Sequence, residues 1–294
     1  MNRLRAQPNR HNRGSPLRGP PVRPIALLLP LTLLAALASA AENGPGTRWR
    51  QGWGLAGHTT SPAATRGDGF ASLRLQPRAG GHAAIAHNLL AGPVQVRLRG
   101  QDTAPAPLLL GAGEQRELAW LADDGSGARL LLDAVPGDPA AHPNDHLYQL
   151  PLATGKVRVS QGFGGHFSHT DAQNRYAVDF PLAEGMPVLA ARAGKVMQLL
   201  ADSPEQGCLI RVLHADGSMG LYAHLQPGSP KVRPGQPVET GQMLAASGNS
   251  GRSSGPHLHF AVQANTGMNL TSLPFRMASE RGLLQFPREA GGAP

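Results

Sequence analysis

Short apolar runs separated by turn-forming residues extend from about residue 48 to residue 275 of this 294-residue chain. Examples are FASLRLQP, PVQVRLRG, CLIRVLHADGS and HLHFAVQAN. Runs of this length are typical of strands, whereas an amphipathic helix would repeat its apolar residues every three or four positions over a longer stretch. The 37 glycines and 27 prolines supply residues that favour turns. We therefore predict an all-β fold built from antiparallel sheets.

The segment GDPAAHPND, at residues 137–145, is rich in turn- and loop-forming residues and predicts a boundary between two β regions. Before it, we expect a small β-sandwich-like domain at residues 41–145. After it, we expect a larger antiparallel β domain at residues 146–275. Residues 276–294 are expected to form a C-terminal tail.

The first 40 residues contain six arginines and no acidic residue, followed by the apolar run IALLLPLTLLAALASA. This pattern, with small residues at Ala38 and Ala40, predicts a Sec-type signal peptide that is cleaved after Ala40. The alternative is an uncleaved membrane anchor, for which the apolar run is short. The sequence thus predicts an exported protein, either periplasmic or secreted.

The positive charge of the chain belongs largely to this leader. Six of the 27 Lys and Arg residues lie there, which leaves 21 against all 19 Asp and Glu residues. No basic run is interleaved with aromatic residues after the leader. Nucleic-acid binding is therefore not expected.

Two features of the larger domain bear on its structure. The ADGS sequence at residues 215–218 predicts a tight hairpin turn, because an Asp-Gly pair supplies the positive φ that such turns need. His214, directly before this turn, is expected to be exposed. Cys208 is the single cysteine, so the chain can form no intramolecular disulfide, and we expect it to be a buried apolar residue rather than a nucleophile.

Two histidines lie two positions apart in the segment GPHLHF. On a strand, His257 and His259 would share one face, with Leu258 and Phe260 on the other. Two imidazoles on one face suit a metal site, or a metal ligand beside a catalytic base. The H-x-H pattern alone is weak, since most histidine pairs are surface or structural residues.

Other polar residues in strand-like segments strengthen the interpretation of a metal site. The segment LYAHLQP places His224 on a second strand, on the same face as Tyr222. The segment YAVDFPL places Asp179 among apolar residues, where an unpaired carboxylate would be costly to desolvate. Its cationic partner would be either an arginine, for which Arg175 and Arg192 are candidates, or a metal shared with histidines.

The segments QGFGGHFSHTDAQNRYAVDF, YAHL and SGNSGRSSGPHLHF occur in an order that resembles the lysostaphin-type (M23) zinc peptidases, which act on cell-wall murein. The resemblance extends from about Val157 to Val262. It implies that His259 and Asp179 bind Zn²⁺ together with an upstream histidine. The commonest family pattern is H-x-x-x-D, whereas here His169 precedes Asp179 by ten positions. We favour His169 as the first ligand, with His166 as the alternative.

The resemblance also implies that His224 and His257 are the catalytic pair. Two histidines and one aspartate leave the fourth position of a tetrahedral zinc open to water, whose pKa the metal lowers to about 7. The implied function is a zinc-dependent endopeptidase that hydrolyses the peptide cross-links of peptidoglycan. Its expected partners are the peptide stems of peptidoglycan, and the protein is expected to be a monomer. Residues 41–145 resemble, more weakly, an accessory or inhibitory domain of some family members.

Two other functions fit parts of this pattern. A catalytically inactive murein-binding or hydrolase-activating module would usually have lost at least one of the proposed ligands or catalytic residues. Here all five are present, namely His169, Asp179, His224, His257 and His259. A cupin-type metalloenzyme also uses an H-x-H strand. Cupins place a glutamate about four residues beyond this pair, where the present chain reads AVQA.

Overall fold

The computed structural model describes residues 58–60, 69–100, 106–122, 130–153 and 157–286. The predicted leader at residues 1–40 and the last eight residues of the tail lie outside this set. The described residues contain no helix, and thus no helical segment that could cross a membrane. Their strands are β1 (His58–Thr60), β2 (Ala71–Arg78), β3 (Gly81–Asn88), β4 (Val94–Arg99), β5 (Leu108–Leu110), β6 (Gln115–Ala122), β7 (Leu130–Pro136), β8 (Leu147–Gln149), β9 (Val178–Pro181), β10 (Pro187–Leu189), β11 (Gly194–Leu200), β12 (Cys208–Leu213), β13 (Met219–Leu225), β14 (Pro237–Val238), β15 (Met243–Ala246), β16 (His257–Asn265), β17 (Leu270–Leu273), β18 (Arg276–Ser279) and β19 (Gly282–Leu283).

The predicted all-β fold is confirmed. Its strand pairs are antiparallel except that of β8 with β18, which is parallel and joins residues 276–279 of the expected tail to a sheet. The first seven strands form two antiparallel sheets, in the orders β1-β7-β4-β5 and β2-β3-β6. Apolar side chains from both sheets enter one buried cluster, which includes Leu73 and Ala86 from one sheet and Val96 and Leu132 from the other. This arrangement is the sandwich expected from the alternating runs of the N-terminal region.

A seven-stranded antiparallel sheet carries the candidate site. Its order is β14-β11-β12-β13-β16-β17, and β9 pairs with β16 beside β17. The hairpin predicted at ADGS joins β12 to β13, with Gly217 at φ 80°. Strand β16 is the longest of the described strands, and it pairs with β13 along one edge and with β9 and β17 along the other. It therefore brings together segments that are distant in sequence.

The alternation predicted for the GPHLHF segment is confirmed. Leu258 and Phe260 are fully buried in the larger core cluster, together with Tyr222. His257 and His259 project from the other face, where both lie near Asp179. The strand therefore separates a polar face from a core face over four residues.

The prediction that His224 and Tyr222 share a face is wrong, because β13 contains a bulge. Cys208 and Ile210 on β12 pair with Leu225 and Tyr222, so β13 has one extra residue between these pairs. His224 adopts a positive φ of 60° within this bulge. Tyr222 instead points into the core, and its hydroxyl oxygen accepts a hydrogen bond from the Ala191 amide at 2.7 Å. The bulge thus turns His224 away from the core face.

The sandwich contacts the large sheet at a defined place. Met197, Met219 and Leu270 belong to the buried cluster of the sandwich. The Asn265 side chain donates hydrogen bonds to the Gln95 side chain at 3.1 Å and to a backbone carbonyl of the sandwich at 3.0 Å. Asn265 ends β16, whereas the histidines lie near its beginning.

His214 is buried rather than exposed, which corrects the sequence-based expectation. It is 3% exposed, and its Nδ1 atom donates a hydrogen bond to the Ala193 carbonyl at 2.9 Å. Burial, together with the charge of Arg192, lowers the pKa of His214 to about 4. The local sequence pattern identified the turn correctly, but tertiary packing covers the residue before it. Cys208 is buried as predicted.

Candidate metal centre and active site

Three side chains from separate parts of the chain converge at the beginning of β16. The His169 Nε2 atom lies 3.3 Å from Asp179 Oδ1, and the His259 Nδ1 atom lies 2.9 Å from the same oxygen. One possible ligand atom from each residue lies within 4.8 Å of the others, and all three residues are buried. Among the described residues, this is the group of histidine and acidic side chains whose geometry could hold a metal ion.

The backbone explains why these three residues meet. Asp179 on β9 and His259 on β16 are directly opposite each other in the antiparallel pair. His169 lies in the preceding loop, where its amide donates to the Gly165 carbonyl at 2.9 Å. Its Nδ1 atom donates to the Gly162 carbonyl at 2.8 Å. Because a carbonyl oxygen only accepts, Nδ1 carries a proton, which leaves Nε2 facing Asp179.

The ten-residue spacing between His169 and Asp179 is accommodated by an anchored connection. The Ser272 hydroxyl donates to the Ala172 carbonyl at 2.9 Å and accepts from the Tyr176 amide at 3.1 Å. The Gln263 side chain donates to the carbonyl of Gln173 at 2.9 Å. The extra residues therefore pack against β16 and β17. His166, the alternative ligand, has an exposed side chain and lies outside the converging group.

The electrostatics of the group suit a cation. Burial alone would raise the pKa of Asp179, but hydrogen bonds from His169 and His259 outweigh this effect and hold its pKa well below its usual range. Burial lowers the pKa of His259. An ionised carboxylate and two imidazoles form a donor set that zinc prefers, and a metal competes with protons for the same lone pairs. The residues present therefore fit a zinc ion.

Two further imidazoles lie beside this group. The rings of His224 and His257 are 4.6 Å apart between centroids, and the His257 Nε2 atom lies 3.8 Å from Asp179 Oδ1. The Nδ1 atoms of both rings donate to backbone carbonyls, that of Ser250 at 2.9 Å and that of Gly255 at 2.8 Å. Each Nε2 atom therefore carries a lone pair and can accept a proton.

His224 is held in its neutral form. Burial, together with the neighbouring His259 and His257, lowers the pKa of His224 to about 4. The side chain of His257 is 16% exposed, compared with 7% for His259. His257 is thus the more accessible member of the H-x-H pair.

Of the two arginines considered as alternative partners for Asp179, Arg192 has another role. Arg192 donates to the Asp216 carboxylate at 2.9 Å. Asp216 also accepts from the Asn144 amide at 3.0 Å, so this ion pair holds the interdomain segment against the β12–β13 hairpin. Arg192 is therefore paired with Asp216 rather than with Asp179.

Sequence reasoning missed two polar residues that hold the site. Gln161 donates to Asp179 Oδ2 at 2.9 Å. The Ser250 carbonyl accepts from His224, while its hydroxyl donates to the Leu225 carbonyl at 2.6 Å. Both residues lie in the quoted motif segments, but neither residue type indicates such a role without the three-dimensional contacts.

Comparison with known proteins identifies a matching family. Residues 173–270 match the family described as "Peptidase family M23". An "Uncharacterized metalloprotease" of Haemophilus influenzae is 35% identical over 113 residues, which cover 37% of this chain and 23% of that protein. The "Glycyl-glycine endopeptidase ALE-1" of Staphylococcus capitis is 33% identical over 125 residues, covering 41% of this chain and 34% of the relative.

A third relative is the "Peptidoglycan DD-endopeptidase ShyA" of Vibrio cholerae, which is 32% identical over 110 residues, or 36% of this chain and 25% of the relative. The chain thus spans about a third or less of the length of these relatives. The matched segment contains Asp179, His224, His257 and His259, while His169 lies four residues before it. Residues 173–270 of this chain are therefore similar to the peptidase family M23 domain.

Proposed function

We propose that this protein is an exported zinc metalloendopeptidase that hydrolyses the peptide cross-links of cell-wall peptidoglycan. The observation that carries the proposal is the convergence of His169, Asp179 and His259 beside two imidazoles whose Nε2 atoms can accept protons. The names of the relatives, a glycyl-glycine endopeptidase and a peptidoglycan endopeptidase, support the substrate class.

The residues divide into two roles. His169, Asp179 and His259 would hold zinc, which supplies Lewis acidity toward a peptide carbonyl and activates water near neutral pH. His257 lies beside the ligands and accepts a proton at Nε2, since its Nδ1 proton is held by the Gly255 carbonyl. His224 faces His257 and, once protonated, donates to the developing oxyanion or to the leaving amine.

The cellular location and the binding partners of the protein follow from the same proposal. The predicted signal peptide at residues 1–40 directs the protein to the periplasm or outside the cell, where peptidoglycan lies. Its binding partners are then the peptide stems of peptidoglycan rather than nucleic acid, in agreement with the nearly balanced charge after the leader. We propose that the protein acts as a monomer.

Digestion of purified peptidoglycan tests the proposal. The mature protein, beginning at Ala41, is expected to contain about one zinc per molecule and to release peptide cross-links, as measured by mass spectrometry of the products. A chelator should stop the reaction, and added zinc should restore it. Products of sugar-bond cleavage would contradict peptidase activity. Intact cross-links in the presence of bound zinc would instead favour an inactive murein-binding module.

A further inference from the structure

Gln161 is a buried amide that touches both the loop of His169 and the carboxylate of Asp179. It is 8% exposed. Its Nε2 atom donates to Asp179 Oδ2 at 2.9 Å and to the Ser168 hydroxyl at 2.7 Å. Its Oε1 atom accepts from the amides of Phe167 and Ser168, both at 3.1 Å. Every one of these contacts lies within two residues of His169 or on Asp179 itself.

These contacts fix the orientation of the amide. Two backbone N–H groups face Oε1, and an N–H group cannot accept a hydrogen bond, so the NH₂ end must point toward Asp179. Packing also restricts the side chain, because a Cβ atom at Gly165 would lie 2.2 Å from Gln161 Cγ. Gln161 therefore presents a donor to Asp179 in one defined geometry.

The two oxygens of Asp179 consequently have different surroundings. Oδ1 faces His169 and His259 at 3.3 and 2.9 Å, and His257 at 3.8 Å. Oδ2 accepts the hydrogen bond from Gln161. A carboxylate with one oxygen held by a buried donor offers its other oxygen to a cation.

We propose that Gln161 is a positioning residue for the metal, which makes Asp179 a ligand through Oδ1 alone. This inference rests on the proposed zinc site. A single-oxygen carboxylate keeps the coordination number low, which suits tetrahedral zinc and disfavours cations that require six or more oxygen ligands. Partners that orient a ligand in this way typically change metal affinity by about 10- to 100-fold.

Two substitutions separate the contact with Asp179 from support of the loop. Gln161→Ala removes all contacts of the amide. Gln161→Glu keeps an oxygen that can accept from the Phe167 and Ser168 amides, but it places an oxygen instead of NH₂ against Asp179 Oδ2. The matched control is Ser168→Ala, which removes the other acceptor of Gln161 Nε2 and leaves the contact with Asp179.

The measurements are zinc affinity by competition with a chromophoric chelator and the visible absorption of the Co²⁺-substituted full-length mature protein. Both Gln161 variants are expected to bind zinc about 10- to 100-fold more weakly than wild type. Their Co²⁺ absorption is expected to be weaker, because a second carboxylate oxygen raises the coordination number. Ser168→Ala should retain the wild-type affinity and spectrum.

Wild-type zinc affinity and Co²⁺ spectrum in Gln161→Glu would overturn the proposal. Equal losses in Ser168→Ala and Gln161→Ala would also overturn it, since they would assign the effect to the loop. If Gln161→Ala does not fold, Gln161→Glu decides the question. Wild-type protein that binds zinc but leaves peptidoglycan intact would contradict the peptidase function without affecting the role of Gln161, so the two failures are distinguishable.

Discussion

The Nδ1 atom of His224 donates a hydrogen bond to the carbonyl oxygen of Ser250 at 2.9 Å. The Ser250 hydroxyl in turn accepts from the Cys208 amide at 2.8 Å and donates to the Leu225 carbonyl at 2.6 Å. Cys208 and Leu225 are the residues that close the bulge around His224. One serine thus sets both the ring orientation and the backbone of a proposed catalytic histidine.

We predict that Ser250→Ala lowers kcat about 10- to 100-fold, because a misplaced imidazole transfers protons poorly. The free energy of unfolding should fall by about 1–3 kcal/mol, and zinc content should not change. Ser229→Ala is the matched control, since the Ser229 hydroxyl also bridges two backbone groups, the Gln226 carbonyl at 2.6 Å and the Ala246 amide at 3.0 Å. Equal loss of kcat in both variants would contradict a specific role for Ser250.

The two histidines of β16 should respond differently to substitution. His259→Ala removes a proposed ligand and is expected to lose both bound zinc and activity. His257→Ala should retain zinc while its kcat falls by about 10²- to 10⁴-fold, the usual contribution of a general acid or base. Metal analysis after gel filtration and cleavage of peptidoglycan measure the two effects. Similar zinc loss in both variants would show that the roles have been assigned wrongly.

The backbone conformation of His224 allows a test of its catalytic role without unfolding the protein. Asparagine tolerates a positive φ better than most residues, so His224→Asn should keep the bulge and the zinc. Its activity should fall by about 10²- to 10⁴-fold. Met268 is the other non-glycine residue with positive φ among the described residues, and Met268→Asn serves as the control. Activity near wild type in His224→Asn would exclude a proton-transfer role.

The stability of the protein should depend on pH through His214. Its pKa is lowered to about 4 in the folded protein, whereas an unfolded histidine titrates near 6.5. The unfolded state therefore binds the extra proton first, and stability contributed by the neutral ring is lost as the pH falls from about 6.5 to about 4. This difference in pKa between the two states corresponds to about 3 kcal/mol in the free energy of unfolding.

Urea unfolding between pH 4 and pH 8 measures this effect, with His214→Asn as the comparison. The asparagine amide can donate to the Ala193 carbonyl but does not titrate. The stability of wild type relative to this variant should decrease steadily below pH 6.5 and stay constant above pH 7.5. If the difference in unfolding free energy between wild type and His214→Asn did not depend on pH, the burial of a neutral imidazole would be contradicted.

Removal of residues 1–145 should destabilise the remaining domain rather than activate it. Met197, Met219 and Leu270 are at most 2% exposed, and they pack in the buried cluster of the sandwich. Exposure of each such side chain costs about 1.5–3 kcal/mol. We therefore expect a fragment beginning at His146 to unfold at lower urea concentration than the mature chain beginning at Ala41.

The activity of this fragment distinguishes a supporting from an inhibitory sandwich. The sandwich residue Gln95 contacts Asn265, at the end of β16 that lies away from the histidines. The fragment is thus expected to have no higher kcat per folded molecule than the mature chain. A faster fragment would instead identify residues 41–145 as an inhibitor.

The sequence allowed the all-β fold and the alternation of β16 to be predicted, because both depend on local patterns such as that of Leu258 and Phe260. The convergence of Asp179 with the histidines was reached through the family resemblance, since cross-strand register between distant segments leaves no local signal. The orientation of His224 was predicted wrongly because a bulge reverses the alternation. The burial of His214 and the contacts of Gln161 depend on tertiary packing, which a single sequence does not reveal.

The proposed ligands His169 and His259 are 90 positions apart in a chain that has one cysteine. A metal that joins them would close a large loop and reduce the conformational entropy of the unfolded chain, as a disulfide does in many exported proteins. Unlike a disulfide, this cross-link forms without oxidation and opens when the metal is withdrawn. The supply of zinc outside the cytoplasm would then govern how long the folded protein survives there, in addition to whether it is active.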